Sequence, residues 1–134
     1  MTNSKYSKPI WEVYKEEDVM VAMRDSVRLA TDIYRPAIDR NKPATDPMPA
    51  LLVRTSYDKK ASEWDGIPEY YAKRGYIFII QDIRSRFRSE GDGKYYQTVN
   101  PLEGLDGYDT VEWIANQEWC DGKIGTLGSS HRAI

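Results

Sequence analysis

The chain has 134 residues, 21 acidic and 19 basic, with a net charge of −2. That length fits one domain with a sizeable core, near the lower end for an α/β enzyme. The near balance of charge gives no electrostatic reason to expect nucleic acid or an anionic membrane as partner.

Four Trp and ten Tyr mark a folding chain rather than a disordered one. Cys120 is the single cysteine, which leaves no internal disulfide and makes a cytoplasmic setting the default expectation. The opening MTNSKYSKPIWEVYKEED is polar and shows no apolar h-region, so no signal peptide is expected. No apolar run approaches the roughly 20 residues that cross a bilayer.

In chain order, residues 1–18 read as a polar strap. VMVAMRDSVRLATDIYRP reads as a hairpin with arms Met20 to Arg24 and Val27 to Tyr34 and a turn at Asp25-Ser26. Val27, Leu29, Thr31 and Ile33 alternate with Arg28, Ala30 and Asp32, the period of a strand with one buried face. Pro36 is expected to end that strand, and AIDRNKPATDPMP to form a loop.

The pattern then changes. ALLV at 50–53 and YIFII at 76–80 are unbroken apolar runs, as in strands covered on both faces. Between them Glu69 to Arg74 has helical composition, with Pro68 near its start and Gly75 placed to end it. NPLEGLDGYDTVEWIANQ predicts a longer helix, capped by Asn100 with Pro101 in its first turn and Glu103 completing a capping box. Its apolar stripe would be Leu102, Leu105, Tyr108, Val111 and Ile114. DGKIGTLG follows as a short strand. Hairpin, strand, helix, strand, helix, strand is the beginning of an α/β sheet.

The tail KIGTLGSSHRAI delivers a serine just past that strand. A strand-to-helix elbow would expose the Ser130 hydroxyl and aim following backbone N–H groups at a developing oxyanion. Gly128 and Ser129 are small enough for such a turn, but Arg132 occupies the last glycine position of G-x-S-x-G. Taken alone, this tail fits an ordinary polar loop better than a nucleophile elbow. His131 and Cys120 have no ligand spacing, so neither a metal nor a cofactor is expected. QDIRSRFRSEGDG carries three arginines without the P-loop signature and reads as a solvated, salt-bridged loop.

Four blocks together are more specific. VMVAMRDSVRLATDIYRP, PALLVRTSYDKK, YAKRGYIFIIQDIRSRFRSEGD and GYDTVEWIANQEWCDGKIGTLGSSH, in that order, resemble the N-terminal part of the CocE/NonD serine hydrolases. That family includes cocaine esterase, α-amino-acid ester hydrolases and X-Pro dipeptidyl peptidases. The resemblance implies that residues 19–134 are an incomplete α/β-hydrolase domain, ending at the nucleophile elbow. It places the catalytic serine at Ser130, one oxyanion donor at the Tyr57 hydroxyl and the other at the His131 backbone N–H.

The implied chemistry is acyl transfer through an acyl-serine, on a small-molecule ester or amide or an X-Pro peptide. The resemblance puts the triad acid and base downstream of Ile134, so this chain by itself is expected to be an inactive fragment. Asp82 and Arg84 fall in a structural loop, and Asp106 and Asp109 in a helix. His131 replaces the usual tyrosine after the nucleophile and is expected to be a surface or pocket-lining residue rather than the base. Ser26, Ser85 and Ala133 stand where the family usually has glycine, which matters where the backbone requires positive φ. The competing reading is a non-catalytic binding or assembly module that oligomerises through an exposed sheet edge.

Overall fold

The computed structural model describes residues 9–91 and 103–127. Six strands form one sheet: β1 (Glu12–Ala22), β2 (Arg28–Asp39), β3 (Lys42–Pro43), β4 (Met48–Thr55), β5 (Ile77–Asp82) and β6 (Cys120–Thr126). The order is β1-β2-β5-β4-β6, with the short β3 pairing β2. β1 and β2 form the antiparallel hairpin, and β2 runs antiparallel to β5. β4 is parallel to both β5 and β6, so the chain leaves these three strands at one common edge. A 3-10 turn (Ser62–Trp64) and helix α1 (Ile67–Ala72) connect β4 to β5. Helix α2 (Glu103–Ala115) precedes β6.

The unbroken apolar runs explain the layering. Ile77, Ile79, Leu52 and Ile33 project to the face covered by Ile114, Val111 and Trp113 of α2. Phe78, Ile80, Val53 and Tyr34 project to the other face, under Ala72, Ile67 and Tyr71 of α1. All six residues of β5 are buried, as a central strand flanked by helices on both sides requires. Gly75, at φ 96°, ends the α1 connection as expected, in a backbone region that favours glycine.

Several expectations are corrected. The first strand begins at Glu12, inside the segment read as a strap, and Pro36 does not end β2, which runs on to Asp39. Pro36 sits opposite Val13 of β1, and its carbonyl accepts from the Ala44 N–H at 3.0 Å, so its missing N–H leaves the local ladder intact. β2 is buried on both faces rather than one: Leu29, Ala30, Thr31 and Asp32 are all fully enclosed. The α2 stripe is also different. Ile114 is buried, but Leu105 and Tyr108 are exposed, and Asp106 and Thr110 take the inner positions. A carboxylate displaces leucine from the core face because Arg84 waits there for it. Residues 100–102, which carry the expected cap, lie outside the described residues.

Candidate active site

At the common edge where β4, β5 and β6 end, the core changes from apolar to polar on both faces of the sheet. On the α2 face, Arg54 Nε donates to Gln81 Oε1 at 2.8 Å, and Gln81 Nε2 donates to Thr31 Oγ1 at 3.1 Å. The Thr110 hydroxyl lies 3.1 Å from Gln81 Oε1 and 2.8 Å from the Asp106 carbonyl. Above this layer Arg84 makes two parallel bonds to Asp106, at 2.8 and 2.9 Å, and reaches Asp25 of the hairpin turn at 2.9 Å. Arg84 is thus buried, not solvated as its loop composition suggested. The Asp106 and Asp25 carboxylates raise its pKa beyond the ordinary guanidinium value.

On the α1 face a second cluster forms around Asp32, which no solvent reaches. Lys59 Nζ lies 3.0 Å from Asp32 Oδ1 and 2.6 Å from Asp18 Oδ1, and the Lys59 side chain is itself wholly buried. Lys60 Nζ lies 3.0 Å from Asp32 Oδ2 and pairs with Glu17. Burial alone would lower the Lys60 pKa, but the carboxylates of Glu17 and Asp32 outweigh it and raise it. Lys59 in turn holds Asp18 below its ordinary value. Asp82, at the end of β5, is raised by burial, against the backbone N–H donors of Lys59 and Arg88.

Tyr57 sits between these clusters, two positions beyond β4. Its backbone N–H donates to Thr55 Oγ1 at 2.9 Å, and the residue is 44% exposed, although Ser56 and Lys59 beside it are buried. An exposed phenol on an arch anchored at both feet suits a hydrogen-bond donor facing a ligand. Ligands of open α/β sheets bind outside the carboxyl ends of the strands, which is where Tyr57 stands. Ser130 and His131 lie outside the described residues, as does Ala133. β6 ends at this same edge, where the Leu127 N–H donates to the Leu52 carbonyl at 3.0 Å.

The two serines at expected glycine positions are informative. Ser26 has φ 73° and Ser85 has φ 68°, so both occupy the left-handed region that glycine adopts freely. Ser26 closes the hairpin turn, with its N–H donating to the Met23 carbonyl at 2.9 Å. Ser85 starts the loop after β5, with its N–H donating to the Glu90 carbonyl at 2.8 Å.

Buried Lys59, half-buried Lys60 and their carboxylates were missed by sequence reasoning. The available signal was Asp32, a charge in the middle of a β-branched strand, together with two lysines directly after the candidate tyrosine. Among the described residues no group of three or more His, Cys, Asp and Glu side chains has metal-binding geometry. Also among the described residues, no helix is long and apolar enough to cross a membrane.

Residues 25–134 match the domain of the X-Pro dipeptidyl-peptidase (S15 family). The chain belongs to that family. It is 39% identical over 125 residues to cocaine esterase of Rhodococcus sp. (strain MB1 Bresler), a match covering 87% of this chain and 19% of the esterase. A putative serine esterase of Mycobacterium bovis is 29% identical over 129 residues, covering 83% of this chain and 20% of the relative. Among solved structures, an α-amino acid ester hydrolase superposes with a TM-score of 0.67 at 32% identity, covering 90% of this chain and 22% of the hydrolase. A CocE/NonD family hydrolase from Staphylococcus aureus shares the fold, with a TM-score of 0.69 at 24% identity, covering 87% of this chain and 23% of its own. The described strands and helices are therefore an N-terminal portion of an α/β-hydrolase fold. The chain spans about a fifth of the length of the curated relatives it matches.

Proposed function

We propose that this chain is the N-terminal part of a serine hydrolase that cleaves esters or amides through an acyl-serine intermediate. The observation that carries the reading is Tyr57, an exposed phenol at the carboxyl edge of the sheet, in a chain of this family. Ser130 Oγ attacks the substrate carbonyl carbon as its proton passes to a base, and the carbonyl π electrons move onto oxygen. The Tyr57 hydroxyl and the His131 backbone N–H donate to that oxyanion. Collapse expels the alcohol or amine, which takes up the proton, and water then releases the acid by the same sequence. On this reading the triad acid and base come from sequence following Ile134. The chain alone would therefore bind or position but not turn over.

The test is fluorophosphonate labelling of the protein purified at its native mass from its source cells, followed by peptide mapping. A single adduct on Ser130, abolished in Ser130→Ala, is the expected result. Labelling at another serine, or none in the native protein, would overturn the assignment.

A further inference from the structure

The Tyr57 arch is fixed by a device that the hydrolase reading leaves unused. Strand β1 carries a bulge: Glu16 pairs with Ile33 and Val19 with Thr31, so one extra residue stands in β1 opposite β2. Asp18 within it adopts φ 53°, a left-handed conformation rare outside glycine. In a regular strand, adjacent side chains point to opposite faces, and Glu17 and Asp18 could not reach the same cluster. With the bulge both turn to one face, where Glu17 pairs with Lys60 and Asp18 with Lys59. The Asp18 N–H also donates to Asp32 Oδ1 at 2.9 Å.

Stability alone does not account for this arrangement. Burying a lysine and a carboxylate costs desolvation that their attraction barely repays, and apolar residues of similar volume do as well or better. What the cluster supplies is a defined position for the backbone that carries Tyr57. Lys59 is held through its ammonium by Asp18 and Asp32, and through its N–H by Asp82 Oδ1 at 2.8 Å. On the other side, Arg86 Nε donates to the Ser56 carbonyl at 3.2 Å. Only Tyr57 and Asp58 remain between these anchors, and Asp58 takes φ 79° to close the arch.

We infer that Lys59, clamped by Asp18 of the β1 bulge and by Asp32, is a positioning residue that sets where the Tyr57 hydroxyl points. The inference rests on Tyr57 being an oxyanion donor, and it makes the N-terminal strand part of the catalytic framework.

Two readouts separate the inference from the hydrolase assignment. The first is steady-state hydrolysis of p-nitrophenyl acetate by the native protein carrying Lys59→Met, Lys59→Arg or Asp18→Asn, each with and without Tyr57→Phe. Loss of one oxyanion donor costs about 10²–10³-fold in kcat. Lys59→Met is expected to approach the lower figure with KM changed less than about two-fold, Lys59→Arg to recover part, and Asp18→Asn to lose about ten-fold. In the Tyr57→Phe background these losses should shrink below about two-fold, because the group being positioned is gone. The second readout is the 19F resonance of 3-fluorotyrosine placed at position 57, which should shift or broaden in Asp18→Asn. That residue is half exposed in the clamp, so its variant is the one most certain to fold. Equal losses with and without the Tyr57 hydroxyl, or an unmoved 19F line, would overturn the inference. Full activity in Tyr57→Phe would sink the oxyanion assignment instead, while a moved 19F line would still support the clamp.

Discussion

Replacing Asp106 by alanine removes the partner that faces the buried guanidinium of Arg84. Arg84 and Asp106 are 6% and 2% exposed, and their two parallel bonds exclude water from the contact. Breaking a buried pair costs about 3–5 kcal/mol, because one charge is left without compensation. Here Asp25 still lies 2.9 Å from Arg84, and it is 43% exposed and hydrated. The residual pairing places the loss at the low end, about 3 kcal/mol. With a urea m-value of about 1.5 kcal/mol/M, the midpoint should fall by about 2 M. Trp113 and Trp119, whose rings pack 6.0 Å apart beside α2, supply the fluorescence signal. The double variant Arg84→Met with Asp106→Leu should recover most of the loss, since no charge remains to desolvate. A midpoint change under about 0.5 M for Asp106→Ala would refute the reasoning, for it would mean that Arg84 is solvated as readily as it is paired.

Ser85→Gly is expected to stabilise by about 1 kcal/mol, read as a thermal melting shift of a few degrees. The serine holds φ 68°, and its hydroxyl, shielded from solvent, has no hydrogen-bond partner among the described residues. Relief of both should exceed the chain entropy that glycine adds. Stability should also fall with acid, followed as urea midpoints from pH 6 to pH 2. Lys59, Arg84, Arg24 and Arg28 hold Asp18, Asp25, Asp109 and Glu90 below their ordinary values. The contribution of each is complete above the unfolded value near 4 and disappears as pH falls through the lower folded value. Asp82, raised by burial, works in the opposite sense, so its contribution weakens as pH rises through the window just above 4. Asp18→Asn should flatten the acid limb, and an unchanged slope would remove Asp18 from the account.

The apolar runs at 50–53 and 76–80 were readable as doubly covered strands because they are short, unbroken and flanked by turn residues. Gly75 and Pro68 marked the α1 connection through local backbone rules. Alternation in β2 misled because Asp32 has the polarity of a surface residue, and its burial is made tolerable by Lys59 and Lys60, from a loop 27 and 28 positions away in sequence, and by the Asp18 N–H. The α2 stripe failed for the same reason, with Asp106 inside and Tyr108 outside. The motif that carries Tyr57 was legible, but the contacts of Lys59 with Asp18 and Asp32 were not, because a bulge depends on how two strands pair and leaves no fixed composition.

The sequence by itself determined the order of the main elements, the two-faced burial of β4 and β5 and the family to which the chain belongs. Those properties follow from side-chain type and local backbone preference, which act wherever the residues stand. Tertiary structure alone decided which charges go inside. Asp32, Lys59, Arg84 and Asp106 can be buried only because each meets an opposite charge that the fold brings from far along the chain.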